Sequence, residues 1–114
     1  MIKTKTITIR DADLSWLAQV VITSDGMFSC VSEYWNFSFA WRSVWQDDFR
    51  VFLSELNISY FGWKMFQGMA YVVHTKKVEA ACMRFSEMVL PSLKEAMKQD
   101  VINDPAWSSC NFIH

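Results

Sequence analysis

Glycine, proline and histidine are scarce in this chain: three, two and two among 114 residues. The glycines, Gly26, Gly62 and Gly68, stand apart. A phosphate-cradling loop needs several glycines within a few positions, so P-loop and dinucleotide fingerprints are excluded. The cysteines, Cys30, Cys82 and Cys110, are odd in number and match neither a disulfide framework nor a zinc spacing. With His74 and His114 they form no paired ligand set, so no metal site is expected. No apolar run approaches the roughly 18 residues of a membrane span, and the first ten residues lack a signal-peptide core. These absences point to a reducing, cytoplasmic setting, with no membrane and no cofactor.

Charge is also in short supply. Eleven basic and 12 acidic residues leave a net charge of −1, which predicts neither generic phosphate-backbone binding nor a strongly acidic nucleic-acid mimic. Lys76, Lys77, Arg84, Lys94 and Lys98 are interleaved with Glu79, Glu87, Glu95 and Asp100, the pattern of a solvated helical face. Nucleic acid is therefore the weaker partner class. A regulatory or nucleic-acid-binding role is the alternative to a protein-binding one.

Apolar and aromatic side chains are abundant. Hydrophobic residues make up 52% of the chain, with six Trp, nine Phe and seven Met. One domain is expected, with a sheet over 1–45, helices over 47–100 and a tail over 101–114. Residues 2–10 read as an edge strand whose Lys3, Lys5 and Arg10 discourage edge-to-edge pairing. Two further strands flank Asp25-Gly26, a dipeptide suited to a two-residue type I′ turn. That turn would set Val20 opposite Val31 and Ser24 opposite Met27. A fourth strand alternates cleanly, placing Trp35, Phe37, Phe39 and Trp41 on the core face.

The period then changes. Asp47 or Asp48 starts a helix in which Phe49, Phe52, Leu53 and Leu56 share one side. A second short helix covers 58–66, with Ser59 as a candidate cap and Gly62 against it. Thr75 caps the longest helix, whose stripe is Val78, Ala81, Cys82, Phe85, Met88 and Val89. Pro91 predicts a kink or restart there. Strands followed by helices define an α+β fold, a four-stranded antiparallel sheet packed against C-terminal helices.

No catalytic kit emerges, and the chain is not read as an enzyme. A nucleophile needs a base oriented by a third group. The available pairs are Cys82 with His74 and Cys110 with His114. Cys82 lies on an apolar stripe, where burial leaves a thiol inert. Asp47-Asp48 is explained by the helix start. The aromatic excess instead points to an interface, where exposed aromatic and Met residues are favoured. The partner-binding candidates are Tyr34, Arg42, Trp45, Arg50, Tyr60, Lys64 and, in the tail, Trp107; a homodimer is a further expectation.

The segments FSFAW (37–41), DFRVFL (48–53), SYF (59–61) and KM (64–65) resemble small accessory proteins of bacteriophages and prophages. That resemblance implies a gene of a mobile element. It further implies a protein that works by binding and blocking a bacterial host complex, of which CRISPR–Cas inhibitors are the best-populated class.

Overall fold

The computed structural model describes residues 2–33, 35–69 and 75–107. Four strands come first: β1 (Thr4–Arg10), β2 (Trp16–Thr23), β3 (Met27–Ser32) and β4 (Asn36–Ala40). They pair antiparallel in the order β1-β2-β3-β4. Helices α1 (Phe49–Ser54), α2 (Ile58–Gln67) and α3 (Lys76–Asn103) follow, and a 3-10 turn, Pro105–Trp107, closes the described chain. The architecture is α+β, as the order of sequence periods implies.

The hairpin register differs from the expected one by a single residue. Val20 stands opposite Cys30, and Ile22 opposite Phe28. The turn takes three residues rather than two. Gly26 sits at φ 102, its N–H donates to the Thr23 carbonyl at 3.1 Å, and the Thr23 hydroxyl accepts from Met27 N–H at 3.0 Å. A glycine in the left-handed region closing a three-residue loop is the common alternative to type I′. The shift decides which side chains meet, because a slip of one residue exchanges the faces of a strand. Ala18, Val20, Ile22, Phe28, Cys30 and Phe37 now share one buried face.

Trp35 is not core. It is 42% exposed, because β4 begins only at Asn36 and Trp35 lies in the turn before it. There the Ser32 hydroxyl donates to the Trp35 carbonyl at 2.6 Å and accepts from its N–H at 3.0 Å. Phe39 is half-buried, whereas Phe37, Trp41, Phe49, Phe52 and Leu53 are buried as expected.

Asp48 caps α1, accepting from Arg50 N–H at 2.9 Å. Asn57, not Ser59, caps α2. Gly62 belongs inside that helix for a packing reason. A Cβ there would meet Met83 Sδ at 2.9 Å and Ser86 Cβ at 3.3 Å, so the missing side chain lets α2 lie close on α3. The Ser86 hydroxyl crosses the same gap and donates to the Ile58 carbonyl at 2.6 Å.

Thr75 caps α3, accepting from Val78 N–H at 3.2 Å. The helix then runs 28 residues without restarting at Pro91. Pro91 is exposed, so the carbonyl its ring leaves unpaired faces the wet side. Val89, Leu90, Leu93 and Met97 keep one buried stripe through it. Met88, expected on the stripe, is 47% exposed.

At the end of α2, Gly68 touches the sheet. A Cβ on it would overlap the Ser38 carbonyl oxygen of β4. Backbone on both sides leaves little room to yield. Gly68→Ala is expected to lower stability by about 1–3 kcal/mol, read from the shift in urea midpoint.

Candidate interaction surface

Among the described residues, the loop over 41–48 and the outer side of α2 present an exposed aromatic cluster. Trp41 roots it. The indole is buried against Phe28, Phe49 and Phe52, and its N–H donates to the Tyr60 hydroxyl at 3.1 Å. Val44 is buried and pins the loop. Trp45, next in line, is left 69% exposed. Its ring rests edge-on against Phe52 with centroids 4.8 Å apart, so a fixed anchor holds an open face. Trp45 and Tyr60, with Glu55, Leu56 and Asn57, line a concavity of about 260 Å³.

Lys64 sits one turn beyond Tyr60 on α2. Its ammonium lies 5.0 Å from the Phe39 ring centroid and 5.5 Å from that of Tyr60. Cations over ring faces are held by the ring quadrupole. Trp63, 45% exposed, leans on Phe66 with centroids 5.5 Å apart. Arg42 is exposed at the loop's start. The structure thus brings Arg42, Trp45, Tyr60 and Lys64 to the loop and helix bordering β4. Trp63 belongs with them and was not among the sequence candidates. The signal for it was available: Tyr60, Trp63 and Lys64 are three and four apart on one helix. Tyr34 falls outside the described residues, as do His74, Cys110 and His114.

Arg50 and Trp107 do not face solvent, which corrects their expected placement on the surface. Arg50 is fully buried, at 0% exposure. Asp48 takes it in a fork, Nε to Oδ1 at 3.1 Å and Nη2 to Oδ2 at 2.7 Å. Nη1 reaches the Asp100 carboxylate at 2.7 Å and its carbonyl at 2.9 Å. The guanidinium lies 4.9 Å from the centroid of Trp107, whose own burial follows from that contact. Lys5 joins from β1, bonding Asp100 at 2.8 Å and Asp104 at 2.6 Å. One charged cluster therefore ties β1, α1, α3 and the closing turn together.

Within that cluster burial pushes the Asp100 carboxyl up. Hydrogen bonds and charges from Lys5 and Arg50 outweigh this and hold it below its usual value. The sign follows directly. A carboxylate with a lowered folded pKa contributes stability above its unfolded pKa, and that contribution is lost as pH falls through the folded value. Stability should therefore fall below about pH 4, near the ordinary aspartate pKa of 3.8. Urea midpoints from pH 2 to pH 7 check it: Asp100→Asn should start lower at pH 7 and show a shallower acid slope.

Two of the thiols are structural. Burial pushes Cys30 up to about 12. It also raises Cys82, with Glu79 adding to the shift, and Cys82 packs on Met69 with sulfurs 3.3 Å apart. Among the described residues no group of three His, Cys, Asp or Glu side chains is placed to hold a metal. Among the same residues no helix is long and apolar enough to cross a membrane.

Comparison with known families matches residues 1–88 to a phage family, Phage_phiTE_072. The chain belongs to that family. No curated protein and no solved structure gives a significant match. The phage-family segment contains the whole sheet, α1, α2 and the loop carrying Trp45, so the aromatic cluster lies inside it. Asp100, Asp104 and Trp107, which enclose Arg50 and Lys5, lie beyond it.

Proposed function

We propose that this phage-family protein is a non-enzymatic accessory protein that binds a protein complex of the bacterial host and occludes it. A defence complex is the intended target, with CRISPR–Cas effectors the leading class. The supporting observation is Trp45, 69% exposed yet anchored on Phe52 and beside a concavity shared with Tyr60. Tryptophan and tyrosine dominate the binding energy of protein interfaces, and a ring already held in place loses little freedom on docking. Lys64 and Arg42 flank it with positive charge suited to an acidic rim on the partner.

Phage plating on hosts that carry a defined defence system tests the reading. Expression of the protein should restore plaques, and Trp45→Ala should abolish the effect while leaving the unfolding midpoint nearly unchanged. With a purified target, the same substitution should weaken binding by about 2 kcal/mol, some thirtyfold. Full defence in the presence of the wild-type protein, across the defence systems tried, would overturn it. Binding to single-stranded DNA that weakens steeply with salt would favour the nucleic-acid role instead.

A further inference from the structure

The first strand was expected to guard its own edge with Lys3, Lys5 and Arg10. The structure removes that guard. Arg10, at the far end of the strand, folds back and donates to the Leu14 carbonyl at 3.2 Å. Lys5 turns inward, its ammonium held by Asp100 and Asp104, and Lys3 reaches the Ala106 carbonyl at 3.2 Å. What remains along the outside of β1 is backbone. Lys3 pairs with Ser24, whose N–H donates to the Lys3 carbonyl at 2.8 Å and whose hydroxyl accepts from Lys3 N–H at 2.8 Å. In an antiparallel ladder bonded pairs recur at every second residue, so Lys5, Ile7 and Ile9 bond inward to β2. Thr4, Thr6 and Thr8 therefore point their N–H and C=O groups away from the sheet, and no described hydrogen bond reaches those groups. At the opposite edge, Gly68 of the α2 terminus closes over the Ser38 carbonyl of β4. Among the described residues β1 carries no comparable cover.

The order of residues on this edge names its partner. From 2 to 10 the chain reads Ile-Lys-Thr-Lys-Thr-Ile-Thr-Ile-Arg. Laid antiparallel on itself about Thr6, the strand sets Thr4 opposite the partner's Thr8 and Thr6 opposite the partner's Thr6. Lys3 then meets the partner's Ile9, Lys5 the partner's Ile7, and Arg10 the partner's Ile2. Every cation faces an isoleucine and every threonine a threonine. Like charges directly opposite are destabilising, and Thr–Thr pairs are favourable. This register avoids the first and supplies the second. A register displaced by two residues, centred on Lys5 or Ile7, breaks the match: about Lys5, lysine faces lysine.

We propose that β1 is the interface of a two-fold homodimer, in which two copies join edge to edge about Thr6 into one continuous eight-stranded antiparallel sheet. The outer face beside this edge is suited to continuation. Thr4, Thr6, Thr8, Gln19, Val21, Ser29, Val31, Asn36 and Ser38 carry no charge, so no repulsion builds up as the sheet widens. The bonds are Thr4 with the partner's Thr8, Thr6 with the partner's Thr6, and Thr8 with the partner's Thr4. A contact of this length is small by the standards of stable interfaces, so the dimer is reversible and concentration-dependent.

Sedimentation equilibrium over a concentration series tests it, with the 13.3 kDa chain expected to approach twice its mass at high concentration. Thr6→Pro removes an outward N–H from each copy and leaves the bonds to β2 intact, a position where edge strands tolerate proline. It should raise the dissociation constant at least about tenfold with the circular dichroism spectrum preserved. The register is tested separately. Thr4→Lys with Thr8→Lys should abolish the dimer, because each new lysine meets another. Thr4→Lys with Thr8→Glu should restore it, because each lysine then meets a glutamate. A monomer at every concentration would overturn the proposal. So would a dimer that survives Thr6→Pro and the double lysine variant but is lost in Trp45→Ala, since that would place the interface on the aromatic cluster.

Discussion

Arg50→Ala is expected to be among the most damaging single substitutions in this protein, lowering stability by about 3–5 kcal/mol. Among the described residues Arg50 is the largest fully buried side chain. Removing it leaves the Asp48 and Asp100 carboxylates, both largely withdrawn from water, without their shared cation. The Trp107 ring also loses the guanidinium beneath it. The loss comes mainly from stranding the acids and only in part from the bonds themselves, and a second experiment separates the two. Arg50→Met combined with Asp100→Asn should lose less than the two single losses added together, because Asp100, left with Lys5 as its cation, no longer carries a charge that lacks Arg50. Urea denaturation at pH 7 and 25 °C supplies all the values. Strict additivity would show that Arg50 acts through packing alone.

Phe28→Ala is the second large effect, again about 3–5 kcal/mol. Phe28 is fully buried on β3, between Ile22 on one neighbouring strand and Phe39 on the other. Its ring meets Phe61 of α2 edge-on at 5.6 Å and Trp41 at 6.4 Å. Through Phe28 the sheet touches both α2 and the root of the exposed loop. Truncation leaves a void between two layers, and rigid aromatic neighbours fill such a void poorly. Phe28→Leu should recover more than half of the loss. Because Trp41 steadies the loop that carries Trp45, Phe28→Ala should also broaden the indole emission, whereas Gly68→Ala should not.

Local chemistry made much of the fold readable. Strand and helix periods, the Asp48 and Thr75 caps and the Asp25-Gly26 turn were all in place in the sequence, because each depends on residues a few positions apart. The failures share a different cause. Arg50 looked like a surface residue because its second acid, Asp100, lies fifty positions away. Trp107 looked like a partner-binding residue of the tail because its own partners, Arg50 and Lys5, belong to elements far earlier in the chain. The hairpin register turned on whether the loop held two residues or three, and Asp-Gly serves either length. Pro91 looked like a break because its missing donor was visible in the sequence and its exposure was not. Of the surface candidates, Arg42, Trp45, Tyr60 and Lys64 could be seen from helix spacing and composition. Trp63, on the same helix as Tyr60 and Lys64, was missed although the spacing was there to be read.

Lys5 and Asp104 are separated by 99 positions, and Lys3 and Ala106 by 103. These bonds make the first strand wait for the last turn. During synthesis β1 emerges well before the groups that neutralise Lys5 and pin Lys3, which follow it by 99 and 103 positions. The hairpin and the helical pair can form early from near neighbours, whereas joining β1 to the closing turn requires a loop of 99 to 103 positions. Until that closure, Lys5 is free to point outward, and the strand edge is protected by a charge that the finished fold later withdraws.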